Sequence, residues 1–215
     1  MTTMLLTRHG HVEGIEPARF RGRADLALTA RGVAQAEALA RQIACGWRVT
    51  RIYSSPARRC LATAGAVARA CGLEPHVLDA LNDIDYGAWQ SRTYEEMKDA
   101  HPDMFAAWLA TPHLVRFPNG ESLEDLLART ADVLRAVLAL EEGETVVLVG
   151  HDSVNRALLT QLLDQPPSAF WRIAQHPCCI NEFEIRRGRV RAIRINDTCH
   201  LDRLDHLDED VAMRR

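Results

Sequence analysis

Two short apolar runs, far apart in the chain, are each followed by a turn that carries glycine and histidine. Met4-Leu5-Leu6-Thr7 precedes Arg8-His9-Gly10, and Val146-Val147-Leu148-Val149 precedes Gly150-His151. Continuous runs rich in Val and Leu are typical of parallel strands that are buried on both faces. Because ligands of open α/β sheets bind at the carboxyl ends of the strands, we expect both histidines to face one crevice.

Each of these motifs alone could be a simple turn without a function. A third segment adds a residue that could act together with them. Arg51-Ile52-Tyr53-Ser54-Ser55 is a predicted strand, and the helix after it starts at the same sheet edge and carries Arg59. Helix N-termini and guanidinium groups both favour phosphate. Together with Arg8 and the two histidines, Arg59 is expected to surround a phosphoryl group. The structural alternative is that each arginine pairs with a surface carboxylate.

The bulk composition excludes several classes of partner. The chain has 215 residues, of which 47% are hydrophobic and 26% charged, which suits one compact domain with a sizeable core. A formal net charge of -3 and a pI near 6.3 predict neither a nucleic-acid partner nor a membrane partner. The N-terminus is too short and too polar for a signal peptide or a spanning segment. We therefore expect a soluble cytoplasmic protein.

The cysteines predict neither disulfides nor a metal site. They are scattered without a C-x-x-C pair, so they are expected to be reduced and structural. The tail 200–215 mixes Asp, His and Arg with little periodicity and is expected to be a solvated end without a metal site. The six cysteines are Cys45, Cys60, Cys71, Cys178, Cys179 and Cys199.

Strand and helix patterns alternate along the chain and predict an α/β protein. The expected architecture is a three-layer α/β/α sandwich with a mostly parallel central sheet and an antiparallel edge strand. Residues 1–199 form one predicted domain, followed by the polar tail. The edge is assigned to strands within 182–185 and 189–195, which flank a turn at Arg187-Gly188.

Capping residues locate the predicted helices. Thr29 opens a helix over 30–44, and Pro56 suits the first turn of a helix that runs to Cys71. Ser122 and Asp125 resemble a capping box that begins a long amphipathic helix. A further helix is predicted over 155–163.

In order along the chain, these motifs resemble the histidine phosphatase superfamily, also called the phosphoglycerate mutase-like family. The resemblance runs from Leu5 to about Leu163, and it is specific as an ensemble although an Arg-His-Gly tripeptide alone is weak. The matching segments are Arg8-His9-Gly10, 19–32 with Gln35-Ala36, 54–64, Gly120-Glu121-Ser122 and Gly150-His151.

The resemblance implies a mechanism that these residue types can perform. His9 would attack phosphorus through a neutral ring nitrogen and form a phosphohistidine that water then hydrolyses. Arg8, Arg59 and His151 would hold the phosphoryl oxygens and stabilise their charge. Neither a cofactor nor a metal is expected, because these side chains would supply the positive charge that a metal ion supplies in other phosphatases. The expected partner is a small phosphorylated substrate, and a homodimer is one option for the assembly.

The proton donor for the leaving group is open between two aspartates. Asp83 lies in a segment, Leu81-Asn82-Asp83, that resembles the one in which the family usually carries a glutamate. Asp152 follows His151, and the acid phosphatase branch of the superfamily carries its donor in such a His-Asp dipeptide. A donor is defined by its geometry, and the alternative for Asp152 is that it caps a helix starting near Ser153. We favour Asp83 slightly.

The chain departs from the family just after the first motif. Where many members have Thr and Asn, it has Val12 and Ile15, so two hydrogen-bond donors to the substrate are missing. We expect the following residues to complete the substrate site: Gly10, His11, Arg19 and Arg23.

Three functions fit these residues. A phosphomonoesterase acting on a small organic phosphate ester is the leading hypothesis. A phosphoglycerate-type phosphomutase is the alternative within catalysis, but mutases tend to carry extra basic residues around the acid segment, which here is short. A non-catalytic phospholigand-binding protein is motivated by Asp83 and by the missing Thr and Asn, yet His9 and both arginines are intact.

Overall fold

A six-stranded mixed sheet forms the centre of the computed structural model, which describes residues 1–15 and 17–202. The strand order is β3-β2-β4-β1-β5-β6. The first four strands of this order are parallel to one another, β5 runs antiparallel to β1, and β6 runs antiparallel to β5. The strands are β1 Thr2–Arg8, β2 Arg51–Ser54, β3 Pro75–Val77, β4 Thr145–Gly150, β5 Ile180–Arg186 and β6 Arg189–Asp197.

Helices cover both faces of the sheet, so the predicted three-layer α/β/α architecture is confirmed. The alternation of side chains along β1 explains the two layers, since Leu5 packs with α1 and α2 while Met4 and Leu6 pack with α5 and α6. The α-helices are α1 Ala30–Gly46, α2 Arg58–Cys71, α3 Tyr94–Ala100, α4 Pro102–Ala110, α5 Leu123–Leu138 and α6 Asp152–Leu162.

Two predicted caps are present, and two helix starts differ from expectation. Thr29 caps α1, and Ser122 forms the expected capping box with Asp125 at α5. Helix α2 begins at Arg58 rather than Pro56, because the Ser55 hydroxyl accepts a hydrogen bond from the Ala57 amide and holds a turn ahead of the helix. Helix α6 begins at Asp152, three residues earlier than predicted.

The antiparallel edge is a hairpin that closes the sheet beside β1. Strand β5 pairs with β1, and β6 pairs with β5 as the outer strand. Arg187 and Gly188 form the turn with positive φ angles of 50° and 74°. The predicted antiparallel edge is therefore confirmed, and it comprises two strands.

The segment between β3 and α5 buries an aromatic cluster. Trp89, Trp108 and Phe117 are at most 1% exposed and pack edge to face with Tyr86 or Phe20. These rings are core residues.

The six cysteines are free thiols, of which Cys45 and Cys199 are exposed. Of the predicted tail, residues 203–215 lie outside the described residues. Over the described part of the chain, no helix combines the length and the apolar character needed to cross a membrane.

Two glycines allow the start of α1 to pack closely against the turn after β1. A Cβ on Gly10 would lie 2.4 Å from the carbonyl oxygen of Gly32, and a Cβ on Gly32 would lie 2.1 Å from the carbonyl oxygen of His11. Both contacts are with backbone, which cannot move aside as a flexible side chain can. The close approach therefore fixes the turn that carries His9.

We predict that Gly32→Ala destabilises the protein by about 1 to 3 kcal/mol, because the added methyl group overpacks this contact. Urea unfolding would measure the change in the free energy of unfolding. Gly65→Ala is the matched control, since a Cβ there has no neighbour closer than 3.7 Å and the change should stabilise α2 by up to about 1 kcal/mol. Equal effects of the two substitutions would contradict the packing argument.

Candidate active site

The register between β1 and β4 brings the two histidine motifs together. Arg8 is paired with Gly150, and the His9 amide donates to the Gly150 carbonyl oxygen at 3.0 Å. The chain then leaves β1 towards α1 on one face and β4 towards α6 on the other, which opens a crevice at this edge. The ring centroids of His9 and His151 are 5.3 Å apart.

Hydrogen bonds define the tautomer of His9. Its Nδ1 lies 2.7 Å from the carbonyl oxygen of Gly10, which can only accept, so Nδ1 carries the proton. Arg59 donates its Nε–H to Nε2 of His9 at 3.2 Å. The lone pair on Nε2 therefore faces the guanidinium of Arg59.

Arg59 is the centre of the cluster and is 0% exposed. It lies in the first turn of α2, and the start of that helix is aligned by the Ser55 amide, which donates to the Val149 carbonyl of β4. Besides His9, its guanidinium contacts the carbonyl oxygens of Gly22 and Ala24 at 2.6 and 2.8 Å. It also contacts Asp83 and His151.

His151 has the opposite tautomer to His9. Arg59 approaches its Nδ1 at 3.0 Å as a donor, so Nδ1 accepts and Nε2 carries the proton. Nε2 then donates to the Ser55 hydroxyl at 2.8 Å. His151 is the N-cap of α6, and its ring is held between the starts of two helices.

Both histidines are neutral at neutral pH. Burial, and then the charges of neighbouring groups including Arg59 and Arg8, hold the pKa of His9 and of His151 well below the usual value. Arg8 and Arg59 therefore carry the positive charge of the cluster. Burial also raises the pKa of the adjacent Cys60 thiol to about 12, so that Cys60 remains a thiol.

Asp83 is the carboxylate that contacts the cluster. Its Oδ2 lies 3.2 Å from Nη2 of Arg59 and 3.5 Å from Nδ1 of His151. Its Oδ1 accepts from the Ser153 hydroxyl and from the Ile84 amide. Arg129 of α5 fixes this segment by donating to the backbone carbonyl of Asp83.

Asp152 lies at the rim and has different partners. It forms a bidentate pair with Arg156, at 2.9 and 3.1 Å, and its Oδ1 is 3.6 Å from Arg8. The side chain is 25% exposed, against 11% for Asp83. Asp152 is the first residue of α6 and does not cap the helix, since the cap is His151.

Arg8 is held through one end of its guanidinium and keeps its Nε donor free. Its Nη1 donates to the carbonyl oxygen of Gln175 at 2.6 Å and lies 3.6 Å from Oδ1 of Asp152. Its Nε is buried and has no hydrogen-bond partner within the described residues. An unpaired buried donor of this kind is costly unless a ligand satisfies it.

The residues predicted to bind substrate divide into two groups. Gly10 belongs to the turn, and its amide donates to Thr63. His11 donates or accepts at Thr29 and lines a separate cleft with His176. Arg19 is exposed and donates to the Ser91 carbonyl.

Arg23 lies at the outer rim. Its guanidinium is 3.4 Å from Asp85 and 3.3 Å from Glu121, and the side chain is 40% exposed. Arg23, Ala24 and Asn82 line a cleft of about 240 Å³. This cleft lies near Arg59, which contacts Ala24 and Asp83. Of the four predicted residues, Gly10 and Arg23 therefore adjoin the cluster, whereas His11 and Arg19 point elsewhere.

Sequence reasoning missed several residues that complete the site. Ser55 forms a hydrogen bond with His151, and Ser153 forms one with Asp83. Arg129 positions the Asp83 segment. Burial and the positive charge of Arg8 lower the pKa of Arg21 from its usual value. The sequence signal for Arg21 was its place between Phe20 and Gly22, inside a segment already assigned to the family pattern.

No group of three His, Cys, Asp or Glu side chains is arranged to hold a metal ion in the described parts of the chain.

Comparison with known proteins identifies the family. A model described as "Histidine phosphatase superfamily (branch 1)" matches residues 4–198. The chain is 33% identical over 201 residues to phosphoserine phosphatase 1 of Hydrogenobacter thermophilus, covering 94% of this chain and 95% of that protein.

Solved structures give the same result. The phosphoserine phosphatase of Entamoeba histolytica, in complex with 3-phosphoglyceric acid, has a TM-score of 0.83 at 28% identity, covering 94% of this chain and all of that one. The Bacillus stearothermophilus protein YhfR has a TM-score of 0.87 at 27% identity, with the same coverage. The protein described here is a member of the histidine phosphatase superfamily, branch 1.

Proposed function

We propose that this protein is a metal-independent phosphatase that hydrolyses a small phosphate ester through a phosphohistidine on His9. The observation that carries the proposal is the contact between the His9 Nε2 lone pair and the buried guanidinium of Arg59. A nucleophilic nitrogen and a donor for phosphoryl oxygens lie within 3.2 Å of each other. The phosphatase names of the relatives support the same activity.

The nucleophile is prepared by its surroundings. Because the pKa of His9 is lowered by burial and by nearby positive charge, the ring is neutral at neutral pH, and Nε2, which accepts from the Nε–H of Arg59, carries no proton. The Gly10 carbonyl holds the proton on Nδ1 and leaves Nε2 as the attacking atom. No ionisation step is required before the attack.

The anion site has matching donors. Arg59 lies in the first turn of α2, and His151 caps α6, so two helix N-termini with their free amides face the cluster. The unpaired Nε–H of Arg8 supplies a further donor. A bound phosphoryl group would accept from Arg8 and Arg59 and offset their mutual repulsion.

The reaction proceeds in two displacements. His9 Nε2 forms a bond to phosphorus as the bond to the ester oxygen breaks, and the leaving oxygen takes a proton from a carboxylic acid. Water then attacks phosphorus, gives a proton back to that carboxylate, and the N–P bond breaks to release phosphate. Arg8 and Arg59 stabilise the charge of the phosphoryl oxygens in both steps.

Asp83 is the proposed proton donor. It contacts both Arg59 and His151, whereas Asp152 is tied to Arg156 by two hydrogen bonds at the rim. Ser153 and the Ile84 amide fix the Asp83 carboxyl group, so its orientation is set before substrate binds. A fixed donor close to the reacting atoms is the arrangement that general acid catalysis requires.

His9→Ala should abolish hydrolysis, with a fall in kcat of at least about a thousandfold, because the variant cannot form the covalent intermediate. Release of inorganic phosphate from a panel of phosphate esters measures the rate, and an acid quench with mass spectrometry detects phosphorylated His9 in the wild type. His76→Ala, at an exposed histidine of β3, is the control. Unchanged turnover in His9→Ala would refute the mechanism.

Asp83→Asn should lower kcat by about 10² to 10⁴-fold on an alkyl phosphate, since the leaving alkoxide then receives no proton. The loss should be much smaller on 4-nitrophenyl phosphate, whose leaving group needs no protonation. Asp152→Asn, the comparison variant, should change kcat on both esters by a similar and smaller factor. The reverse order of the two variants would assign the donor to Asp152.

The wild type should lose stability as the pH falls below about 6.5. Unfolded His9 binds a proton there while folded His9, with its lowered pKa, does not, so protons favour the unfolded chain. Urea unfolding between pH 7 and 5 should give a slope that is shallower in His9→Gln by up to about 1.4 kcal/mol per pH unit. Identical slopes would mean that His9 titrates normally in the folded protein.

A further inference from the structure

The backbone that carries Asp83 is irregular and is held by one side chain of α5. Residues 82–86 lie in neither a helix nor a strand, so no regular hydrogen-bond ladder fixes this part of the chain. Arg129 donates instead to the carbonyl oxygens of Ala80, Asn82 and Asp83, at 2.8, 2.7 and 3.1 Å. The chain up to Asp83 is therefore attached to α5 through a single guanidinium.

Glu121 holds the same segment on the other side of Asp83. Its carboxylate accepts two hydrogen bonds from Arg129, each of 3.0 Å. Its Oε2 also accepts from the Asp85 amide at 2.9 Å, and the Glu121 amide donates to the Asp85 carbonyl oxygen at 2.9 Å. The pair Arg129–Glu121, called the clamp below, thus fixes the backbone both before and after the proposed proton donor.

Every N–H group of Arg129 is used within the clamp. Its Nε–H donates to Glu121, its Nη1 group to Ala80 and Asn82, and its Nη2 group to Asp83 and Glu121. The two side chains are 19% and 18% exposed, so this bidentate pair is far more shielded than an ordinary surface salt bridge. Arg129 has no donor left for a substrate and can affect the reaction only through the residues that it holds.

The position of the Asp83 carboxyl group follows its backbone closely, because an aspartate has only two side-chain torsions. Its Oδ2 lies 3.2 Å from Arg59 and 3.5 Å from His151, and its Oδ1 accepts from the Ser153 hydroxyl and the Ile84 amide. A displacement of the backbone by about 1 Å can cost a reaction up to about a hundredfold in rate. The backbone position is therefore part of the acid catalyst.

We propose that Arg129 and Glu121 are positioning residues for proton donation, and that their pairing sets the reach of Asp83 to the leaving oxygen. This inference rests on the proposed function, in which Asp83 protonates that oxygen. It assigns to the clamp an effect on one chemical step rather than on folding alone. Loss of the clamp should slow the expulsion of leaving groups that need a proton and spare those that do not.

The test compares two kinds of ester by phosphate release from the full chain. Phosphoserine, 3-phosphoglycerate and glycerol 3-phosphate have leaving alkoxides that need a proton, whereas 4-nitrophenyl phosphate does not. The value of kcat/KM is compared, since it reports the steps through the first displacement. The variants are Arg129→Gln, Arg129→Lys and Glu121→Gln. Arg116→Gln is the matched control, because Arg116 pairs with Asp125 at the start of the same helix.

Arg129→Gln should lower kcat/KM by about 10- to 100-fold on the alkyl ester that the wild type hydrolyses fastest. On 4-nitrophenyl phosphate the fall should be less than about threefold. Arg129→Lys should lose less on the alkyl ester, since a lysine keeps the charge but cannot bind three carbonyl oxygens and a carboxylate together. Arg116→Gln should leave both values unchanged.

A double-mutant cycle separates positioning from a general effect on the fold. If Arg129 acts through Asp83, then in the Asp83→Asn background Arg129→Gln should cost less than about a further threefold on the alkyl ester. Independent action would instead give losses that multiply. Glu121→Gln should show the same dependence on Asp83 as Arg129→Gln does.

Thermal unfolding of each variant shows whether it folds, and Arg129→Lys and Glu121→Gln carry the comparison if Arg129→Gln does not. Equal losses on the alkyl and the aryl ester, or losses that multiply with that of Asp83→Asn, overturn the clamp as a positioning device while the phosphatase function stands. If the wild type hydrolyses neither kind of ester and forms no phosphorylated His9, the proposed function itself fails.

Discussion

The buried guanidinium of Arg59 is the interaction on which this site depends. A charge removed from water is tolerated only when its hydrogen-bonding groups are satisfied, and Arg59 satisfies them with two backbone carbonyls, two histidines and one aspartate. These partners come from four separate parts of the chain. The same contacts that make the burial affordable bring His9, His151 and Asp83 into one small volume.

The charge of Arg59 also decides the state of its neighbours. Both histidines are kept neutral by burial and by the adjacent guanidinium groups, and their tautomers are opposite because Nδ1 of His9 faces a carbonyl acceptor whereas Nδ1 of His151 faces a guanidinium donor. A neutral imidazole can attack phosphorus, and a guanidinium can stabilise the charge that results. The different roles of the histidines and the arginines therefore follow from the surroundings in which each is buried.

Much of this arrangement could be predicted from the sequence. Continuous Val and Leu runs identified β1 and β4, and the carboxyl-edge rule placed His9 and His151 on one side of the sheet. The surroundings of Arg59 could not be predicted in this way, since the carbonyl oxygens of Gly22 and Ala24 that accept from its guanidinium reach it only in the folded chain. The start of α2 was misplaced by two residues because the Ser55 side chain forms a turn that competes with the helix.

The reversal of strand direction at β5 has a consequence for how the site is assembled during synthesis. Because β5 runs antiparallel to β1, its first residue, Ile180, pairs with Thr7. The segment before it is delivered to the site, where Gln175 accepts from Arg8 and the Cys178 amide donates to the Arg8 carbonyl. The contacts of Arg8 are thus completed only after residues near 180 have left the ribosome. A nascent chain therefore contains the nucleophile His9 long before it can bind a substrate.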